Sequence, residues 1–185
     1  MSSEPLRAVV IGASAGGVQA LLDLLPQLPA AFPVPVLVVL HFPADRSNAL
    51  VPLFGPRCAL TVKEAEDKEP ALPGVIYFAP SDYHLLVEAD GALALSLDEP
   101  VNYSRPSIDV LFESAADAYG GGLIGVILTG ANDDGARGLS AVEAAGGLAI
   151  VEDPAVAYAP SMPEAARRAC VLWQSFWLML FPASC

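Results

Sequence analysis

Ser14, His41 and Asp134 are the side chains whose types and places allow hydrolytic chemistry. Ser14 stands in Gly12-Ala13-Ser14-Ala15-Gly16, which fits G-x-S-x-G, a strand-to-helix turn that exposes a serine oxygen for attack. His41 directly ends the apolar run Val34–Leu40, and histidine is the commonest general base. Asp134 lies in Thr129-Gly130-Ala131-Asn132-Asp133-Asp134-Gly135-Ala136, just past the apolar run Leu123–Leu128. A serine, a base and an orienting carboxylate are the parts of a hydrolytic triad. Residues this far apart meet if each follows a strand of one open parallel sheet. The carboxyl ends of such strands share one edge, and ligands bind there.

Each of these residues also has a structural reading. Turns favour serine whatever its chemistry, and His41 suits a strand end without acting as a base. Asp134 or Asp133 is placed to cap a helix beginning near Gly135, because caps favour aspartate. His84, the second of two histidines, opens a hairpin strand beside Tyr83 with no nucleophile signal, and it is read as structural. The glycines at 12–17 invite a dinucleotide reading as well. Ser14 occupies the middle glycine position, where a side chain obstructs a pyrophosphate, and the strand expected to end in an acid for the ribose ends in His41. No cofactor and no metal are therefore expected. The chain order Ser, His, Asp also departs from the Ser, Asp/Glu, His order of α/β-hydrolases.

The elements that must position these residues follow from periodicity. Apolar runs at Ala8–Ile11, Val34–Leu40, Ala59–Val62, Val75–Ala79, Leu123–Leu128 and Leu148–Val151 predict strands. Helical spacing predicts helices after Gly17 (Val18, Leu21, Leu22, Leu25) and over Asp45–Phe54, Ile108–Tyr119, Ala136–Ala145 and Met162–Arg168. Asp90-Gly91 between His84–Ala89 and Ala92–Leu97 predicts an antiparallel hairpin. Lys63–Glu69 reads as a charged, solvated loop. The alternation implies an α/β fold: a three-layer, doubly wound, mostly parallel, Rossmann-like sheet, with a hairpin near residues 84–97.

Composition narrows the function. The 185 residues suit one domain, and 54% hydrophobic against 16% charged residues mark a globular chain. With 21 acids against 9 bases the net charge is −12, which argues against a nucleic-acid partner. Cys58, Cys170 and Cys185 lie far apart with no C-x-x-C pair, so neither a zinc site nor a disulfide framework is expected and a cytoplasmic setting follows. Met1 to Leu6 lacks the apolar run of a signal peptide. Val171–Pro182 is apolar but too short to cross a bilayer, so no integral membrane segment is expected.

Together these motifs resemble the catalytic domain of the chemotaxis protein-glutamate methylesterases of the CheB type. The resemblance rests on Ile11 to Gly17, His41-Phe42-Pro43, and Leu128-Thr129-Gly130 through Asp134-Gly135-Ala136. Ala79-Pro80 before His84-Leu85, Arg105-Pro106-Ser107 before Asp109 to Phe112, and Glu152-Asp153-Pro154 before Ser161 to Ala165 follow in the family's order. It spans roughly residues 7–168. The resemblance implies hydrolysis of glutamate γ-methyl esters on chemoreceptor signalling helices, with glutamine deamidation as a second activity. By motif position Ser14 is the nucleophile, His41 the general base and Asp134 the orienting carboxylate, with Asp133 at the variable position before it. Backbone N–H groups of Ala15, Gly16 and Ala131 are candidates for binding the oxyanion. Arg105 is a candidate to hold the substrate.

The chain also departs from the family. Ala15 replaces the usual threonine, while Ala131 and Asn132 replace the methionine and glycine of T-G-M-G. The end, Cys170–Cys185, does not look like the family's closing segment. The pattern starts near residue 7 without the family's receiver domain, so regulation is expected from a separate domain or protein, or not at all. Receptor methylation helices are acidic, and Arg105, Arg46 or Arg137 would have to offset the repulsion from this acidic chain. The departures motivate a rival reading, a non-catalytic module of the same fold that docks receptor or partner helices.

Overall fold

The computed structural model describes residues 4–42, 49–172 and 174–175. Nine strands run β1 (Ala8–Ala13), β2 (Val36–Leu40), β3 (Thr61–Glu64), β4 (Val75–Phe78), β5 (His84–Val87), β6 (Leu93–Ser96), β7 (Leu123–Ile127), β8 (Leu148–Val151) and β9 (Gln174–Ser175) among the described residues. The helices are α1 (Gly17–Leu24), α2 (Leu50–Phe54), α3 (Ile108–Tyr119), α4 (Ala136–Ala144) and α5 (Ser161–Ala169). Seven strands form one parallel sheet in the order β3-β4-β2-β1-β7-β8-β9, and β5 and β6 form a separate antiparallel pair. Every residue of β1 and β2 is buried, as expected of central parallel strands covered on both faces.

Alternation along β1 divides the core. Val9, Ile11 and Ala13 face α1 and α2, packing with Leu21, Leu25 and Phe54. Ala8 and Val10 face the opposite layer, which holds α3, α4, α5 and the β5–β6 hairpin through Phe112, Leu139, Met162 and Leu85. Ile108 and Phe112 are fully buried there, and truncating either to alanine should cost about 2–5 kcal/mol. A side chain at Gly12 would overlap Ile108, so a residue without Cβ lets the start of α3 lie against β1.

Most predicted elements match in place, with ends exact or shifted by one or two residues. Two expectations need correction. Lys63–Glu69 is not a free surface loop: Lys63 and Glu64 belong to β3, Lys68 N–H and Leu93 N–H pair this segment with β6, and Ala65 is buried. Alternating charges on an edge strand look like a loop because one of its faces is wet. Second, neither Asp133 nor Asp134 caps α4; Gly135, at φ 96, stands at that position and brings no side chain of its own. Arg46, Pro43, Cys185, the start of the Asp45–Phe54 helix and most of Val171–Pro182 lie outside the described residues. Among the described residues no helix is long and apolar enough to cross a membrane.

Candidate active site

The direction in which successive strands are laid down reverses between β1 and β7. From β1 the order runs through β2 and β4 one way, and from β7 through β8 the other. Such a switch point opens a crevice at the carboxyl ends of the strands. Ser14 leaves β1 there. Its N–H donates to Thr129 O at 2.9 Å on the β7 side, while His41 N–H donates to Ala13 O at 3.0 Å on the β2 side. The β1–β2 register, Ala13 opposite Leu40, therefore carries Ser14 and His41 out of adjacent strands together.

Asp134 reaches the same edge from the loop after β7. It is fully buried, and its two oxygens accept from donors on three segments. Oδ2 accepts from His41 Nε2 at 2.9 Å and from Ile108 N–H at 2.7 Å. Oδ1 accepts from Ser107 Oγ at 2.8 Å, Asn102 Nδ2 at 2.9 Å and Asp109 N–H at 3.1 Å. The carboxylate thus sits on the N-terminus of α3, where unpaired N–H groups and the helix dipole favour negative charge. Burial pushes the carboxyl up, but the His41 bond, the Ile108 N–H, Asn102 and Ser107 outweigh it and hold it below the usual carboxylate range.

The neighbouring helix is capped in exchange. Asp109, in the first turn of α3, accepts from Gly135 N–H at 3.0 Å and Gly138 N–H at 2.7 Å with Oδ1, so it caps α4. Its Oδ2 accepts from the same Asn102 amino group at 2.8 Å. Each acid therefore caps the helix that the other one's segment enters, with Asn102 joining them. Here burial wins: the Asp109 carboxyl is raised, although Gly138 and Asn102 oppose the rise, and the nearby Asp134 charge adds to it.

The His41 ring has two hydrogen-bond partners among the described residues, Asp134 at Nε2 and Asn132 at Nδ1; the Ser14 hydroxyl is not one of them. A recess of about 200 Å³ opens beside the ring, lined by Phe42, Ala79, Asp82, Tyr103 and Arg105. Arg105 spends Nη1 on Leu97 O and Asp98 O, while its buried Nε has no hydrogen-bond partner among the described residues. Arg137 pairs with Glu113 and lies 3.8 Å from Asp109. Thr129 Oγ1 donates to Ala15 O at 2.8 Å, which ties the turn after Ser14 to the β7 loop. Ala131 is exposed on that loop.

Among the described residues His84 has backbone partners only. Ser107 N–H donates to its Nδ1 at 3.1 Å, so Nε2 carries the proton and donates to Glu99 O at 3.1 Å. The ring pins Ser107, whose hydroxyl in turn bonds Asp134. Sequence reasoning missed the parts played by Asn102, Ser107 and Asp109. Asn102 sits in an irregular loop at φ 51, where no periodicity marks it. Asp109, an acid in a first helical turn, carried a signal for a cap but none for which helix.

The family model for CheB methylesterase matches residues 9–176. A protein of Bordetella parapertussis named protein-glutamate methylesterase/protein-glutamine glutaminase is 44% identical over 169 residues, 89% of this chain and 47% of its own length. The chain thus spans about half of that relative. A Leptospira interrogans protein, named provisionally for the same pair of activities, is 48% identical over 159 residues, 86% of this chain and 82% of its own. The crystal structure of the Thermotoga maritima CheB methylesterase catalytic domain superposes with a TM-score of 0.85 at 36% identity, covering 92% of this chain and 93% of that one. With the motifs, the sheet order and the family model in agreement across nearly the whole described length, the chain belongs to the CheB methylesterase family.

Proposed function

We propose that this chain is a serine hydrolase that removes methyl esters from glutamate side chains of chemoreceptor signalling helices, acting in the cytoplasm as one catalytic unit. Ser14 Oγ attacks the ester carbonyl while His41 Nδ1 takes its proton. The negative oxygen that forms is bound by N–H groups of Ala15, Gly16 or Ala131. Methanol leaves with the proton returned by His41. Water then attacks the acyl-serine with the same base, releasing glutamate and restoring Ser14. Deamidation of glutamine follows the same path with ammonia leaving. Asp134 keeps the imidazole in one tautomer and stabilises the imidazolium.

The observation that carries this reading is the 2.9 Å bond from His41 Nε2 to a buried, ionised carboxylate, at the strand edge that Ser14 leaves in register. The names of the relatives support the substrate. The place of Arg105 on the wall of the recess supports a role for that residue in holding an acidic substrate helix. The test is release of methanol from methylated receptor. Ser14→Ala should lower turnover by about 10⁴-fold or more. Full activity in that variant would remove the assignment and leave the docking module.

A further inference from the structure

With Asp134 on Nε2, the proposed proton transfer must use His41 Nδ1. That nitrogen already has a neighbour. Asn132 Nδ2 lies 3.4 Å from it. The direction of the amide is set at its other end, where Asn132 Oδ1 accepts Asp134 N–H at 3.2 Å, so the amino group is the one turned to the ring. An amino group only donates; Nδ1 must therefore offer its lone pair. This is the tautomer that the Asp134 carboxylate requires from the other side, with the ring proton on Nε2. The two contacts agree on the tautomer and conflict over its use, because the lone pair held by Asn132 is the one that must take the serine proton. The flanking residues offer no substitute: Ala131 has no polar side chain, and Asp133 is exposed.

We propose that Asn132 is a positioning residue that caps the general base at rest, and that its amino group must leave His41 Nδ1 before Ser14 transfers its proton. The proposal rests on reading Ser14 as nucleophile and His41 as base. The cap sets the resting reactivity of this site below that of an open one. It also orders events: displacement of the side chain, by substrate or by loop motion, precedes attack.

The test uses the whole chain and two variants. Asn132→Ser keeps a short acceptor for Asp134 N–H but cannot reach the ring, and Asn132→Gly removes both contacts. A fluorophosphonate probe reads the nucleophile without any receptor: a Ser14 Oγ–phosphorus bond forms, the phosphorus–fluorine bond breaks, fluoride leaves, and the serine proton passes to His41 Nδ1. Both variants should label Ser14 about threefold to tenfold faster than the parent, the factor expected from losing one modest hydrogen bond to the resting base. Nitrogen-15 spectra of the two histidine rings, assigned with His41→Gln, give a second reading. The His41 Nδ1 resonance should move downfield in both variants, as an imine nitrogen does on losing a donor, while Nε2 keeps its proton. Labelling no faster than the parent, or an unmoved Nδ1 resonance, overturns the cap. A parent that is not labelled at Ser14 defeats the functional reading instead, and the Nδ1 resonance still decides whether Asn132 holds the ring.

Discussion

The two edges of the parallel sheet make opposite use of their space. The larger hollow, about 490 Å³, lies at the amino-terminal edge among Pro33, Pro35, Pro70, Pro73 and Tyr119. The recess at the carboxyl edge is about 200 Å³. Charge at the larger hollow is already committed. Arg7 donates to Ala118 O and lies over the Tyr119 ring, and Lys68 pairs with Glu88. At the smaller recess a histidine bridges a buried carboxylate and a side-chain amide, and a guanidinium nitrogen has no partner among the described residues. Size reports where loops fail to fill space, whereas chemistry needs unspent polar groups held at fixed distances. Parallel strands supply this at one edge, because their ends and the helix N-termini that follow them converge there.

Breaking the carboxyl edge should have the larger consequences. Asp134→Asn should lower methyl-ester turnover by about 10³–10⁴-fold, since the His41 tautomer and orientation are no longer enforced. Both Asp134 oxygens accept from N–H or O–H groups, so any amide orientation turns an amino group against donors. The same variant should therefore lose on the order of 2 kcal/mol of stability at neutral pH, read by urea unfolding. Next in size, Asn102→Ala should lower turnover about tenfold by removing the donor shared by the two buried acids, a loss typical of a group that orients a functional side chain. Its position in the loop leaves the sheet intact, so the thermal midpoint should move much less than in Asp134→Asn.

The two acids also separate by pH. The Asp134 carboxyl is depressed in the folded state, so its contribution to stability is present above the unfolded value of about 3.9 and is lost as pH falls through the folded value. The Asp109 carboxyl is raised, so its contribution is present below about 3.9 and is lost as pH rises through the folded value. The stability gap between parent and Asp134→Asn should widen with rising pH across the acid range. The gap between parent and Asp109→Asn should narrow. Parallel slopes in denaturant unfolding at stepped pH would contradict the contrast. The smallest effect belongs to the amino-terminal edge, where Tyr119→Phe should leave turnover within about twofold. A larger loss would show that the big hollow shares in catalysis.

Much of the frame is legible in the sequence because long apolar runs and tight turns are local signals. Ile108–Tyr119 and Leu148–Val151 are readable to the residue. The strand-end places of Ser14, His41 and Asp134 follow from the same runs. What escapes is decided by pairing between distant segments. Asp134 reads as a cap and is one, but for α3 instead of its own helix, and only the packing of α3 against β1 over Gly12 determines that. Asn132 reads as a departure from a family pattern, while its contact with His41 depends on how two loops meet. Lys63–Glu69 misleads because charge marks a wet face and says nothing about backbone pairing.

The reading of the carboxyl edge stands or falls on whether Ser14 is a nucleophile that depends on His41. Incubation of the parent and of His41→Ala with a fluorophosphonate, followed by mass spectrometry of the peptide containing Ser14, measures this directly. The expected result is a single adduct on Ser14 in the parent, slowed by about 10⁴-fold or more in His41→Ala. An adduct elsewhere, or equal labelling of Ser14 in both proteins, would contradict it.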